Sequence, residues 1–257
     1  MFMIDIHSHI LPGVDDGAQT ERDSIAMANE AVKQGIHTII ATPHHKNGSF
    51  DNIRDIIITQ VNVLNDLFKQ EDIPLTVLAG QETRINGNMV EDLNQNELLP
   101  LNDTKYLFVE FPHSSVPRYA KQMLFDIQVA GCIPIIVHPE RNQELMDRPM
   151  KLYEFVQNGA LTQVTAASVT GRFGKTIQKF THQIIAANLT HFIASDAHNT
   201  TSRGFHMAEA YKVIREMHGA EAEYLFLENS QLLVDNMNVN RVEPSMIKKR
   251  RKFLGIF

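Results

Sequence analysis

The sequence has only one cysteine, Cys132, among its 257 residues. An internal disulfide is therefore excluded, and because free thiols are typical of the reducing cytoplasm we expect a cytoplasmic protein. Long apolar stretches are also missing, since no run approaches the roughly 18 residues of a membrane-spanning helix. The N-terminal residues lack the basic segment and the long apolar segment of a secretion signal. Neither a membrane span nor secretion is expected.

Positive charge is in short supply, because 24 Lys and Arg against 30 Asp and Glu give a net charge of −6 at pH 7. This balance argues against a protein that binds nucleic-acid phosphates. Hydrophobic residues make up 43% and charged residues 21% of the chain, which is enough apolar material for a sizeable core. No linker rich in Pro, Gly or Ser divides the sequence, so we predict a single domain over residues 1–257.

The segment 245–257 differs in composition from the rest of the chain. The basic run Lys248–Lys252 is followed there by the apolar run Phe253–Phe257. One interpretation is a terminal helix that packs apolar side chains such as Met246 and Phe257 onto the domain and exposes its basic side. The other is a docking patch for an acidic phosphorylated tail or an anionic membrane surface, which would speed encounter by electrostatic steering.

Short apolar runs alternate with helical patterns along the chain. Thr20 and Asp23 have the spacing of a capping box, and the apolar residues of 53–68 and of 207–218 recur at helical spacing. Near-continuous apolar strands between amphipathic helices are typical of a parallel sheet covered by helices. Seven strands predict an α/β fold, an incomplete or distorted (β/α)7 barrel rather than a full eightfold one. The predicted strands are Phe2–Ile6, His37–Thr42, Leu75–Ala79, Leu107–Phe111, Ile133–Val137, Leu161–Thr165 and His191–Ala194.

Residue types that bind metal ions follow nearly every predicted strand. The carboxyl ends of barrel strands form one face, and active sites lie on that face. One histidine at a strand end is ordinarily structural, but clustered carboxylates without a metal would repel one another and raise their own pKa values. The pattern therefore predicts a metal centre. Its candidates are His7 and His9 after the first strand, His44 and His45 after the second, Glu82 after the third, Glu110 at the end of the fourth, His138 after the fifth, and Asp196 and His198 after the seventh.

The acidic loop Asp15–Gly17 either adds a carboxylate to this face or is a plain turn. His7 and His9 point to one side of their strand, because side chains alternate with period two. If one acid of the loop and one histidine of the pair His44–His45 are counted, the set of candidate ligands contains five histidines and four carboxylates. Nitrogen and oxygen ligands without a thiolate suit Mn, Fe or Zn at hydrolytic sites. The set is large enough for three ions, whose residual positive charge suits a phosphate dianion.

Taken as a set, these motifs resemble the PHP (polymerase and histidinol phosphatase) superfamily from residue 3 to about 240. Within it they are most similar to the metal-dependent tyrosine-protein phosphatases of capsular and exopolysaccharide loci of Gram-positive bacteria. The motifs are His7-Ser8-His9, Asp15-Asp16-Gly17, Thr42-Pro43-His44, Gly80-Gln81-Glu82, Glu110, His138-Pro139-Glu140-Arg141 and Ser195-Asp196-Ala197-His198-Asn199.

The resemblance implies a distorted (β/α)7 barrel of the PHP type and a site for three divalent ions, usually Mn²⁺, with Fe, Zn, Mg or Co as other choices. It also implies hydrolysis of phosphotyrosine on tyrosine autokinases and on the sugar-nucleotide enzymes that they phosphorylate. Residue by residue, it assigns His7, His9 and Asp196 to one ion, Glu82 as a bridge to a second ion that also takes Glu110 and His138, and Asp16, His44 and His198 to a third.

Asp15 and His45 remain alternatives to Asp16 and His44, because the neighbours have identical chemistry. The resemblance further matches Arg141 and Arg203 to arginines that contact the substrate phosphate. A guanidinium fork fits two phosphate oxygens. For each arginine the alternative is a surface salt bridge.

Other functions fit the sequence less well. A cysteine phosphatase needs a C-x5-R loop, and the sixth residue after Cys132 is His138. Amidohydrolase barrels generally carry a bridging lysine on the fourth strand and a histidine on the sixth, where this chain has Glu110 and 166–168, Ala-Ala-Ser. Histidinol-phosphate phosphatase is the nearest enzyme alternative, because the same metals serve a small phosphomonoester. A non-catalytic, metal-loaded scaffold that binds a kinase is the alternative from another class.

The predicted reaction is in-line attack on phosphorus by a metal-bound hydroxide, while Arg141 and Arg203 neutralise the developing charge. A tyrosine phenol, with a pKa of about 10, departs with little protonation, which favours phosphotyrosine over phosphoserine as the substrate. If a general acid takes part, the candidates in the sequence are Asp15, His45 and Glu140.

Overall fold

Strands and helices alternate through residues 3–247, the part of the chain that the computed structural model describes. The runs Lys248–Lys252 and Phe253–Phe257, and hence both interpretations of them, lie outside the described residues. The strands are β1 Met3–Ser8, β2 Ile36–Ala41, β3 His44–His45, β4 Thr76–Ala79, β5 Glu82–Arg84, β6 Tyr106–Glu110, β7 Ile133–Val137, β8 Leu161–Thr165 and β9 Phe192–Ala194. The helices are α1 Glu21–Lys33, α2 Arg54–Gln70, α3 Met89–Asn94, α4 Ala120–Val129, α5 Gln143–Asp147, α6 Pro149–Gln157, α7 Ala166–Val169, α8 Lys175–Ala186, α9 Met207–His218 and α10 Ala220–Val234.

All paired strands are parallel, in the orders β1-β2-β4 and β3-β5-β6-β7-β8-β9. A bridge between Ser8 and Ala197 brings the two edge strands together, with hydrogen bonds from His9 N to Ala197 O (2.8 Å) and from Asp196 N to His7 O (2.9 Å). The strands thus form a closed, distorted (β/α)7 barrel, and the predicted fold class is confirmed.

The predicted number of seven strands is wrong as a count of segments, because the structure has nine within residues 3–247. Two of the predicted strand positions are each occupied by two segments. Pro43, which has no N–H for the ladder, lies between β2 and β3. Gly80 lies between β4 and β5, where a Cβ atom would stand 2.7 Å from Ile40 Cγ2. Each interruption carries the chain onward to a short segment that begins with a candidate metal ligand, His44 or Glu82.

The predicted helix signals are mostly confirmed. Thr20 and Asp23 form both hydrogen bonds of the capping box at the start of α1. Helix α2 buries four apolar residues of the predicted face, but Ile53 precedes the helix in extended conformation and is 48% exposed, so its assignment to that face was wrong. Helix α9 buries its predicted apolar residues and leaves His218 partly exposed.

Two apolar clusters hold the barrel. The larger lies between the barrel and its helices. The smaller fills the barrel interior with residues such as Ile6, Phe108 and Phe192, and includes Leu233 of α10. Since strands alternate inward and outward residues, every strand except the short β3 and β5 supplies both clusters.

The last described residues, Arg241–Ile247, contain no helix or strand. The amide of Ser245 donates to the carbonyl of Ala187 at 2.8 Å, and Ile247 packs against the larger apolar cluster. Met246 is one of four residues, with Phe253, Leu254 and Phe257, that the first interpretation named as alternatives for packing onto the barrel, and its side chain is 53% exposed. Across residues 3–247, none of the helices combines the length and the apolar character required to cross a membrane.

Candidate metal centre

The inward alternation of the strands places the predicted ligands at the mouth of the barrel. In β6, Phe108 belongs to the interior apolar cluster and Glu110 follows two residues later. In β9, Phe192 and Ala194 line the same interior, and Asp196 is the next inward residue. The lower barrel is therefore apolar and the carboxyl ends of its strands carry charge.

The structure brings all nine nominated metal ligands to this mouth. Asp196 Oδ1 lies 3.4 Å from His7 Nε2 and 3.3 Å from His9 Nε2, and His138 Nε2 lies 2.8 Å from Glu82 Oε1. The donor atoms form three groups, and within each group all donor atoms lie within 4.8 Å of one another. The groups are His9, Asp16, His44 and His198; His7, His9 and Glu82; and His44, Glu82 and Glu110.

In three of the imidazoles, the ring nitrogen Nδ1, on the side away from the cluster, lies within hydrogen-bond distance of an oxygen acceptor. Because these oxygens only accept, the ring Nδ1 carries a proton, and in the neutral ring the Nε2 lone pair faces the cluster. Such outer hydrogen bonds are typical of metal-binding histidines. The pairs are His7 with Gln163 Oε1 (2.9 Å), His9 with Asp15 Oδ2 (2.7 Å) and His198 with the Asp196 carbonyl (2.9 Å).

The donor atoms fit divalent ions. His44 Nδ1 and Glu82 Oε2 lie 2.9 Å apart, yet neither has a hydrogen-bond partner among residues 3–247, and neither has His198 Nε2. Ligands bound to one ion at about 2.0–2.2 Å are themselves separated by about 3 to 3.5 Å, the spacing found around His7 and His9. Buried polar atoms are rarely left unpaired, so this cluster is built for cations.

The acidic loop resolves into two roles. Asp16 Oδ1 lies 3.4 Å from Nε2 of both His44 and His198. Asp15 is buried behind His9 and accepts hydrogen bonds from the amides of Gly17 (2.9 Å) and His44 (3.1 Å). At Gly17 a Cβ atom would lie 2.1 Å from the His9 carbonyl oxygen. Glycine therefore lets this loop cross directly over the first strand.

His44 and His45 face opposite sides of β3. The Nδ1 atom of His44 points to Glu82, whereas Nδ1 of His45 lies 2.9 Å from Asp51 Oδ1 outside the cluster. Period-two alternation along the strand separates the two histidines.

Without metal ions, protons compensate part of the carboxylate charge. Burial opposes a charged His44, but the Glu82 charge and the interactions with the Asp16 and Glu82 carboxylates together outweigh burial and raise the pKa of His44 to about 10. Burial, followed by the Glu82 charge, raises the pKa of Glu110 to about 7. Burial, followed by the Arg141 charge, lowers the pKa of His138 to about 4. Metal ions bound here would displace protons.

Two ligand positions have left-handed backbone conformations, His138 with φ 36° and Asp196 with φ 53°. Such conformations are uncommon for residues other than glycine and cost of order 1–3 kcal/mol. Both residues begin a loop that leaves the barrel mouth, and the strained backbone turns each side chain toward the cluster.

A cleft of about 520 Å³ opens beside the cluster. Both predicted phosphate-binding arginines line it. Arg141 Nη1 lies 2.7 Å from Asp196 Oδ2, and Arg203 reaches Asp196 Oδ2 (3.4 Å) and Asp16 Oδ2 (3.2 Å). These ion pairs involve cluster carboxylates, so the arginines are not isolated surface residues.

Two cleft residues were missed from the sequence. The Phe173 ring lies 5.5 Å from Arg141 Cζ, and it follows no motif, so no sequence signal pointed to it. Arg84 forms a two-pronged ion pair with Glu110. Its position two residues after Glu82 was a usable signal, because the two side chains share one side of a strand.

None of the three proposed general acids lines the cleft. Burial opposes ionisation of Asp15, but the charge and hydrogen bond of His9, together with the hydrogen bonds from the amides of Gly17 and His44, outweigh burial and lower the pKa of Asp15, so that carboxylate is a poor proton donor. Glu140 is fully buried and accepts hydrogen bonds from Thr165 N (2.9 Å) and Ser168 Oγ (2.7 Å). With His45 turned outward, the expectation of a general acid among these residues is not supported by their positions.

A closed parallel barrel with a histidine and carboxylate cluster at the carboxyl ends of its strands defines the class, the PHP type of (β/α)7 barrel. The sequence model of the capsular polysaccharide synthesis CpsB/CapC family matches residues 3–235. The chain belongs to this family.

Two curated relatives match along their whole length. Tyrosine-protein phosphatase YwqE of Bacillus subtilis (strain 168) is 50% identical over 255 residues, covering 99% of this chain and 100% of that protein. The putative tyrosine-protein phosphatase CapC of Staphylococcus aureus is 34% identical over 254 residues, with 99% and 100% covered.

A solved structure has the same fold. It comes from the crystal structures of YwqE from Bacillus subtilis and CpsB from Streptococcus pneumoniae, described as unique metal-dependent tyrosine phosphatases. The TM-score is 0.94 at 49% identity, and the match covers 96% of this chain and 100% of that one.

Proposed function

We propose that this protein is a metal-dependent tyrosine-protein phosphatase that acts in capsular or exopolysaccharide synthesis. The observation that carries the proposal is the nine-residue cluster of histidines and carboxylates beside a cleft that two arginines line. Full-length similarity to proteins named as tyrosine-protein phosphatases supports it.

The cluster would hold three divalent ions, with Mn²⁺ as the native metal. When bound, such ions lower the pKa of a coordinated water to about 7 and polarise phosphoryl oxygens. In the proposed assignment His7, His9 and Asp196 would hold the first ion, Glu110 and His138 the second, and Asp16, His44 and His198 the third, while Glu82 would serve the first two.

Arg141 and Arg203 bind the phosphoryl group of the substrate. Both contact cluster carboxylates through single nitrogen–oxygen contacts rather than a full fork, so each guanidinium keeps N–H groups for phosphoryl oxygens. Fixed donors aimed at developing negative charge stabilise the transition state more than the ground state.

The cleft favours an aromatic phosphate ester. Phe111, Phe173 and Ile177 give it an apolar side next to Arg141. A phenyl ring packs well against such residues, whereas the polar chain of histidinol phosphate gains little from them. None of the three proposed acids lines the cleft, which agrees with a phenol leaving group, because a phenol needs little protonation to depart.

The physiological substrates are phosphotyrosine proteins, namely a tyrosine autokinase and sugar-nucleotide enzymes, in the cytoplasm. The sequence-based expectation against nucleic-acid partners agrees with the net charge of −6.

The test compares hydrolysis of a phosphotyrosine peptide, a phosphoserine peptide and histidinol phosphate. Protein stripped with EDTA should be inactive, and Mn²⁺ should restore hydrolysis with the phosphotyrosine peptide as the preferred substrate. Preference for histidinol phosphate would favour the small phosphomonoester alternative. Full metal content without any turnover would favour the kinase-binding scaffold.

A thiol control completes the test. Cys132 is half-buried immediately before β7 and is absent from the cleft lining, so Cys132→Ser should retain its turnover. Loss of activity with fold and metal content intact would contradict the metal mechanism.

A further inference from the structure

Arg84 has no assigned part in the proposed ion sites or in phosphate binding, yet its side chain lines the cleft. It ends β5, and the parallel register sets it beside Glu110 at the end of β6. Neighbouring residues in register project from the same face of a sheet. The sheet itself therefore places this guanidinium against this carboxylate.

The ion pair between Arg84 and Glu110 is a two-pronged fork. Arg84 Nε lies 2.9 Å from Glu110 Oε2, and Arg84 Nη2 lies 2.9 Å from Glu110 Oε1. Both side chains are largely buried, with 27% and 9% of their surfaces exposed. A fork of this kind fixes the plane of the carboxylate as well as its distance.

The other side of Glu110 faces the cluster. Glu110 Oε2 lies 3.9 Å from His44 Nδ1, and Glu82, His44 and Glu110 form one of the three donor groups. Each carboxylate oxygen has two lone pairs, so Glu110 has acceptor capacity for a cation while Arg84 holds it.

The fork also separates Arg84 from the two other cleft arginines. Arg141 makes one contact with Asp196, and Arg203 makes one contact with each of two carboxylates, whereas both contacts of Arg84 go to the same carboxylate. Of the contacts that these three arginines make, the fork of Arg84 therefore fixes the orientation of one carboxylate, which single contacts do not.

We propose that Arg84 is a positioning residue that holds Glu110 toward the ion shared with Glu82, and so sets how tightly that ion is retained. This inference rests on the metal centre of the proposed function. Loss of an outer partner of a metal ligand commonly weakens metal binding about 10- to 100-fold.

The experiment measures Mn²⁺ binding by equilibrium dialysis with metal analysis, which requires no phosphatase activity. In Arg84→Gln, about one Mn²⁺ per chain should bind roughly 10- to 100-fold more weakly. At saturating Mn²⁺ the KM for p-nitrophenyl phosphate should equal that of the wild type. Arg84→Lys keeps the charge without the fork and should bind Mn²⁺ with intermediate affinity.

Arg54→Gln is the matched control, because Arg54 also pairs with a carboxylate, Asp103, at 2.9 Å, but outside the cleft. Its Mn²⁺ binding should be unchanged. An equal loss in this control would attribute the effect to general destabilisation and overturn the proposal. Unchanged Mn²⁺ binding in Arg84→Gln, with a raised KM, would make Arg84 a substrate contact instead.

A double variant tests whether Arg84 acts through Glu110. If Arg84 acts through Glu110, Glu110→Gln and Arg84→Gln/Glu110→Gln should bind Mn²⁺ equally weakly. A further loss in the double variant would overturn the proposal. A wild type that binds no Mn²⁺ would defeat the proposed function, whereas a wild type that binds Mn²⁺ and hydrolyses phosphotyrosine, with Arg84→Gln unchanged, would defeat only this inference.

Discussion

The two halves of the barrel interior are built from the same strands and have opposite chemistry. Toward the amino ends, Ile4, Phe108 and Ile135 form an apolar cluster that packs without any added group. Toward the carboxyl ends, His7 and Glu110 belong to a crowded set of imidazoles and carboxylates. The lower half is complete as a hydrophobic core, whereas the upper half needs cations to balance its buried charge. The lower half of the barrel interior therefore stabilises the fold, and the upper half provides the candidate metal ligands.

The largest effect should come from breaking the upper half. His44→Gln should lose bound metal and reduce kcat/KM by at least about 10³-fold, or roughly 4 kcal/mol at 1.36 kcal/mol per factor of ten, because the ring faces both Asp16 and Glu82. His45→Gln is the matched control and should keep its metal. Metal analysis beside kinetics decides, and equal losses in both variants would refute the separation of the two histidines.

The two arginines that we propose bind the phosphoryl group should matter less than the proposed metal ligands. Arg141→Ala and Arg203→Ala should keep the metals and lose about 2.7–4 kcal/mol of transition-state stabilisation, by analogy with removed oxyanion donors. The measurement is kcat/KM on a phosphotyrosine peptide at saturating Mn²⁺. A normal kcat/KM would leave the affected arginine only as an ion-pair partner of the cluster carboxylates.

Metal should stabilise the protein through the upper half alone. Free Mn²⁺ at 100 times its dissociation constant should raise the free energy of unfolding by about 2.7 kcal/mol for each independent site, because the unfolded chain lacks the assembled ligands. Urea unfolding with Mn²⁺ and with EDTA measures the difference. The urea midpoint of the wild type should be higher with Mn²⁺ than with EDTA. If the wild-type midpoint is the same in both conditions while the His44→Gln midpoint shifts, the result contradicts the proposed metal centre.

The smallest effect should come from trimming the lower half. Ile135→Val removes one methylene from a fully buried side chain and should cost about 0.5–1.5 kcal/mol of stability. Metal content and kcat should not change, since this residue lies below the cluster. A fall in metal affinity would show that the two halves are coupled more closely than their chemistry suggests.

Local sequence signals predicted the strands well. Their bounds agree with the structure within two residues over the described part of the chain, because near-continuous apolar runs have few other ways to be buried. Breaks such as those at Pro43 and Gly80 were missed, because they depend on how the barrel closes rather than on the runs themselves.

The sequence could not decide between adjacent residues of the same type as candidate metal ligands. Asp15 and Asp16, like His44 and His45, differ only in direction. Alternation along β3 and the passage of the loop across His9 decide which one faces the cluster. Both are properties of the folded chain.

The sequence by itself determined the fold class, the set of residues at the strand ends and the family resemblance, because apolar periodicity and ligand types are written locally. Only the tertiary structure decided which ligands meet, that Phe173 lies against Arg141, and that Arg84 holds Glu110. The physical reason is that these contacts join strands and loops far apart in sequence, and their distances are set by strand register and barrel closure.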